Sequence, residues 1–420
     1  MRHTVAGGRR VGAIVFLLCC PIAAAVSSEF VSVDRDNIVL ARERPELDAL
    51  GIPAGGFRIY PSLTVGTIYD TNVFDRATGT GDGFLQIGPK ITVQSGWSQN
   101  FLRFTGDAEI ERFARIHSEN NERYGVDALA RVDVTHNMVV ELDALFGRRA
   151  ETRGSSGDVV AGSRPIIFYD AGGHISLTTT AGAVTAKGRL DLDDYRYNDA
   201  QVGNQFFSQR YRDHRATTAL VELNFPLTPA ISAVTSASFN DSSYTNTLPG
   251  LAPLDSNGFT TLAGVRFGVS SVTTGQITAG YLRQSYRAAV FPTIEGVNYD
   301  ARIVWNPTTL LAVTATANRS IEPSPIANVA GIVADGAGAK ADYEVLRNLL
   351  VNLRADYLRE AYRGSDRRDR RVSAGAGVRY MINRTLQLGV QYDFRDQTSR
   401  GAGARPYRGS DVLLQLTVQR

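Results

Sequence analysis

Beyond residue 25 the chain holds four histidines, His117, His136, His174 and His214, and no cysteine. Only His174 sits in a pattern that suggests chemistry. Asp170 and Ser176 lie at even spacings from it, so in an extended strand all three share a face. Serine, histidine and aspartate are the groups of an acyl-transfer hydrolase, although such a triad is recognised by geometry. Four residues of strand span roughly 13 Å, so Asp170 cannot orient His174 along one strand and a neighbouring strand would have to supply the partner. His136 falls in a tight turn and His117 in a loop approach, which makes no ligand cluster. No catalytic residue, metal site or cofactor is therefore expected.

Charged residues make the larger pattern. Arg103, Arg123, Arg131, Lys187, Arg189, Arg302, Lys340, Arg354 and Arg379 recur on the polar side of an alternation. Asp107, Asp127, Asp133, Glu141, Asp191, Asp300, Asp342, Asp356 and Asp393 share that side. Mixed signs at this density suit a ladder of cross-strand ion pairs that stiffens a wall. They equally suit a polar channel lining without strong charge selectivity. One further stretch, Tyr195 to Arg215, interleaves Tyr195, Tyr197, Phe206, Phe207 and Tyr211 with amides and arginines. Those rings could stack on sugars; an aromatic girdle at a membrane interface is the more frequent role of such residues.

The elements that must position these groups are strands. Apolar and polar residues alternate with period 2 from Phe57 almost to Arg420. The cleanest run sets Tyr124, Val126, Ala128, Ala130, Val132 and Val134 against Arg123, Asp127, Arg131 and Asp133. A face so charged would be costly inside a soluble sandwich. It fits an all-β transmembrane antiparallel meander barrel of about 18 strands, 16 being the neighbouring even count. Tight connections (97–100, 135–137, 180–182, 227–229, 306–308, 382–384) take turns with long ones, as periplasmic turns and external loops do. An even count puts both termini on the periplasmic side. Leu129, Leu145, Val234 and Leu262 fall on the polar face, and Gly106 and Gly188 on the apolar one, which leaves room for a register slip or a bulge.

The first 25 residues read as a cleaved signal peptide, with basic MRHTVAGGRR, apolar VGAIVFLLCCPI and small AAA. Acylation at Cys19 or Cys20 is disfavoured because Leu18 or Cys19, not a small residue, precedes each. The formal net charge of +3 belongs to this segment: without Arg2, Arg9 and Arg10 the chain balances at 42 basic against 42 acidic residues. No general nucleic-acid footprint remains. Residues 26–56 read as a periplasmic lead-in too short to bury a core, and 57–420 as the barrel. Outside the signal no apolar run is long enough for a membrane helix.

The stretch from Arg42 to Phe74 resembles the opening of the putative β-barrel porin 2 family of Gram-negative outer membranes. The resemblance rests on Arg44-Pro45-Glu46, Gly51-Ile52, Gly55-Gly56-Phe57, Tyr60-Pro61-Ser62-Leu63 and Tyr69-Asp70-Thr71-Asn72-Val73-Phe74. It implies an outer-membrane barrel of the exopolysaccharide-associated kind, with polysaccharide and periplasmic export components as partners beside outer-membrane lipid. The chain ends Val418-Gln419-Arg420, without the terminal aromatic residue that assembly machinery reads in many such barrels. The expected function is a porin-like conduit, with export of extracellular polysaccharide as the implied cargo. The residues themselves leave open a general diffusion porin for small solutes, an outer-membrane hydrolase, and a structural barrel with a plugged lumen.

Overall fold

A computed structural model describes residues 38–420 apart from 159–161, 163, 248, 270, 271 and 327. The signal peptide expected over 1–25 lies outside the described residues. The strands are β1 (Phe57–Asp70), β2 (Asp82–Ser95), β3 (Phe101–Phe113), β4 (Asn121–Thr135), β5 (Met138–Ala150) and β6 (Ile167–Ala181). They continue as β7 (Val184–Tyr197), β8 (His214–Thr228), β9 (Ile231–Tyr244), β10 (Ser256–Val269), β11 (Thr273–Tyr286) and β12 (Ile294–Thr308). The last six are β13 (Leu311–Pro323), β14 (Gly331–Leu346), β15 (Leu349–Arg363), β16 (Arg368–Met381), β17 (Leu386–Arg400) and β18 (Tyr407–Gln419).

Each strand pairs antiparallel with the next, and β18 returns to pair with β1 from Ser62–Gln419 to Asp70–Asp411. The sheet is a closed barrel of 18 strands, as the alternation predicts. Closure matters energetically because hydrocarbon offers no partner for an edge N–H or C=O. Among the described residues no helix is long and apolar enough to cross a membrane.

The barrel is apolar outside and polar inside. Val126, Leu192, Val221, Val297 and Leu414 are each more than half exposed on the outer wall. Gln86, Ser176, Glu222, Gln276, Thr278 and Thr417 are buried on the inner one. Leu129 stands in unbroken register between Arg103 and Asp143, and Val234 between Asn224 and Gly264. The apolar exceptions therefore do face inward, and no slip produces them. Register shifts occur beside tight turns instead, at Asp133/Thr135, Pro226/Thr228, Trp305/Thr308 and Glu344/Leu346. There the extra residue lets a twisted ladder close.

Both ends carry additional chain. At the tight-turn end, residues 38–51 do not form a free lead-in. One helical turn, Ile38–Ala41, and the chain after it pack Val39 and Leu47 onto inner-wall residues Ala312, Leu350 and Met381. The short strand Ile52–Ala54 then pairs with Phe57–Ile59 and leads into β1. At the other end the long loops fold together, with Leu254, Phe291, Ile294, Ala330 and Val333 forming one apolar cluster.

Candidate functional site

The polar residues singled out from the alternation are carried by inward-facing positions. In an antiparallel ladder, directly opposed residues share a face, so cross-strand register decides which charges meet. Arg103 reaches Asp127 at 3.8 Å. Arg123 pairs with Glu109 and, at 2.8 Å, with Glu111. Arg131 and Asp133 meet at 3.0 Å, and Arg189 and Asp191 at 2.8 Å, each pair two residues apart on one strand. Asp107 stands opposite Lys90. Lys187 is buried opposite Glu222, which also takes Arg266 at 3.0 Å.

Farther round the wall, Asp300 stands opposite Thr278 and Asn318, and Arg302 opposite Gln276 and Thr316. Arg354 spans two strands to Asp393 at 2.6 Å, crossing Gly375, where a Cβ would lie 2.7 Å from the guanidinium Nε. Glycine is required there because the arginine occupies the side-chain space. Asp356 stands opposite Gly338 and Ser373, and Arg379 opposite Leu350 and Gly389. The wall thus pairs most of its charges with itself.

His174 lies in a cross-strand row, Asp143–His174–Asp191. Its Nδ1 is 3.6 Å from Asp143 and 3.9 Å from Asp191. These neighbouring-strand carboxylates, rather than Asp170, are its acidic partners, at distances too long for hydrogen bonds. No grouping of three or more metal-ligating side chains occurs among the described residues.

The five aromatics of 195–211 do not form one surface. Tyr195 and Tyr197 share the inner face with Asp191, which removes them from an outer girdle. One face of Tyr195 is stacked on His214 at 4.7 Å, and His214 in turn on Tyr244 at 4.9 Å. Tyr197 is stacked with Phe168 at 5.2 Å, and the Arg212 guanidinium lies 4.0 Å from its centroid. Rings engaged this way have little face left for a sugar. The Tyr211 hydroxyl donates to the Pro325 carbonyl at 2.7 Å, tying two loops together. Phe206 and Phe207 alone are exposed, on a short hairpin of Ala200–Val202 with Gln205–Phe207.

A loop that the sequence pattern did not single out crosses the long-loop mouth. From the end of β5, Glu151 pairs with Arg212, and Arg153 with Glu119 at 2.6 Å and Asp158 at 3.3 Å. On the far side Arg371 of β16 donates to the Gly154 carbonyl at 2.7 Å, and Arg405 donates to the Asp158 carbonyl. Gly154 adopts a φ of +71°, and a Cβ there would lie 2.7 Å from that of Asp75 and 2.8 Å from the Tyr407 ring. Residues 151–158 therefore form a strut between opposite parts of the wall. Beside its foot, burial pushes the Asp75 carboxyl up to about 7 against the pull of Arg395.

No curated protein matches the chain. Among solved structures it is similar to the siderophore receptor PirA of Pseudomonas aeruginosa, at 10% identity and a TM-score of 0.46, over 86% of this chain and 80% of that one. It is similar to the copper transporter OprC at 10% identity and a TM-score of 0.47, over 90% and 82%. OpdL of P. aeruginosa shows 12% identity and a TM-score of 0.45, over 87% and 99%. The model of one family, described as "Putative beta-barrel porin 2", matches residues 44–420, nearly the whole described chain. The apolar-outside, polar-inside closed barrel and this match agree: the chain belongs to the putative β-barrel porin 2 family and is a porin-like outer-membrane β-barrel.

Proposed function

We propose that the barrel is a hydrophilic conduit whose cargo is an uncharged or mixed-charge carbohydrate, extracellular polysaccharide on its way out of the cell being the case the family resemblance implies. The observation that carries this is the self-neutralised inner wall. Arg103–Asp127, Arg189–Asp191, Arg266–Glu222 and Arg354–Asp393 pair opposite signs at the lumen surface. Such a wall has no strong single-sign field to concentrate or repel an ion. It still presents guanidinium donors, carboxylate and amide acceptors and hydroxyls, which exchange hydrogen bonds with a polyol as readily as water does. His174 is assigned to this lining and to no catalytic step.

A small-solute diffusion porin is the second reading, favoured by the strut at 151–158, which narrows the long-loop mouth. Single-channel conductance in a planar bilayer separates the two. A reversal potential near zero in a salt gradient, with block by neutral oligosaccharides longer than the pore can pass freely, supports carbohydrate. Strong cation or anion selectivity would sink the self-neutralised-wall argument. Exclusion of all but the smallest neutral polymers would select the small-solute reading.

A further inference from the structure

Residues 38–51 occupy the tight-turn mouth in a way that the wall itself anticipates. On an inner face where charges, amides and hydroxyls predominate, Ala312, Leu350 and Met381 form a buried apolar patch, and Val39 and Leu47 cover it. One carboxylate, Glu344 on β14, takes both strap arginines, Arg42 at 2.9 Å and Arg44 at 2.7 Å. Arg384 and Arg347 of the adjoining turns reach the strap at the Pro45 carbonyl and the Glu46 carboxylate. The strap thus runs from β1 to the mouths of β13–β16, across the opening.

We propose that this strap is a displaceable stopper of the tight-turn mouth, latched by Glu344 and released when Arg42 and Arg44 leave it. The proposal rests on reading the barrel as a conduit. Three observations favour release over permanent closure. Few strap side chains are buried in the apolar contact, far fewer than a folded plug of its own would bury. Part of the remaining hold is ionic and open to water, the exposed Arg347–Glu46 pair and the half-buried Arg42, where solvent competes and screens, while the Arg44–Glu344 pair is buried. The seat also leaves the Arg44 Nε buried with no hydrogen-bond partner among the described residues. Release into water satisfies that donor and so offsets part of the cost of leaving.

The test uses the full chain with Cys19→Ser and Cys20→Ser, so that Val39→Cys supplies the single thiol. Val39 is 1% exposed when the strap is seated. Reaction with a membrane-impermeant maleimide is measured with the latch intact, with Glu344→Ala, and with Arg42→Ala plus Arg44→Ala, which leaves the wall untouched. Conductance of the same three proteins is read in planar bilayers. Labelling about tenfold faster or more in either latch variant is expected, since a lone buried charge is strongly disfavoured, with conductance rising in parallel. Equal labelling in all three would overturn the proposal. Faster labelling with a measurable but unchanged conductance would show a strap that moves without stopping anything. Faster labelling with no conductance in any protein would sink the conduit reading itself, and the stopper with it.

Discussion

Arg395 and Asp70, 325 residues apart, meet at 2.7 Å across the seam where the last strands close on the first. The same guanidinium reaches Asp411 of β18 at 2.9 Å and Asp75 of the first loop at 2.8 Å. One side chain on β17 thereby ties β18, β1 and the following loop. Asn72 completes the knot: its side-chain amide donates to the carbonyls of Arg76 and Arg408, and its backbone N–H to the Asp70 carboxylate. The Tyr69–Phe74 stretch that carries the family resemblance thus has a physical task at the point of closure.

Arg395→Ala should weaken that closure. It leaves three carboxylates together without their shared cation, a loss on the order of 3 kcal/mol for a largely buried cluster. The expected readout is a lower temperature at which the folded barrel converts to its unfolded electrophoretic form. Arg395→Lys, a point charge without a fork, should recover only part of it. An alanine variant as heat-resistant as the parent would mean that the backbone ladder alone closes the seam.

Asp75 should make the docking of the first loop depend on pH. Its carboxyl is held up to about 7 in the docked loop, against an ordinary value of 3.8, because burial outweighs the attraction of Arg395. The docked loop therefore binds the proton more tightly than the released one. Its contribution is greatest below about pH 4 and is lost as pH rises through 7. Protease cleavage within 71–81 should be faster at pH 8 than at pH 5.5 relative to a pH-independent loop substrate. Asp75→Asn should flatten the difference, and a wild-type loop cut equally at both values would contradict the assignment.

The barrel was legible in the sequence because lipid imposes one requirement on every second residue. Val126, Val132 and Leu192 must be apolar, whatever their neighbours do, and a period of 2 survives variation in length and loop content. The ion pairs were half legible. Alternation placed Arg354 and Asp393 on one face, but their meeting across Gly375 depends on register between strands far apart in the chain. Tyr195 and Tyr197 show a different limit. Their even spacing from Asp191 turns them inward, but the neighbours that take up their ring faces, His214, Phe168 and Arg212, come from other strands and loops and only the fold brings them close. The strut and the strap were not legible at all. Gly154 meets Arg371 at a separation of 217 residues, and the apolar run Ile38–Ala41 does not say what it packs on until a wall supplies Ala312 and Leu350.

Phe206 and Phe207 offer a clean comparison because they lie on the loop hairpin and away from the barrel wall. Substituting both with alanine should leave heat resistance within about 0.5 kcal/mol of the parent, as for other exposed positions. If the pair stacks on passing sugar, block of conductance by oligosaccharide should weaken several-fold. Unchanged block would remove these rings from the cargo path, leaving the self-neutralised wall to account for any preference.

Gly154→Ala should lift the strut. The residue holds a φ of +71°, which a side chain strains, and the new methyl would press on Asp75 and Tyr407 at contact distances no neighbour tolerates. Neither neighbour is free to yield: Asp75 is held by Arg395, and Tyr407 is buried on β18 beside Arg371. The tip should therefore leave the wall while β5 and β6, whose ladder does not involve it, remain paired. A larger conductance and a higher size cut-off for neutral polymers are expected, with heat resistance little changed. Larger conductance with an unaltered cut-off would mean that another element sets the narrowest point, and the strap at the opposite mouth would be the next place to look.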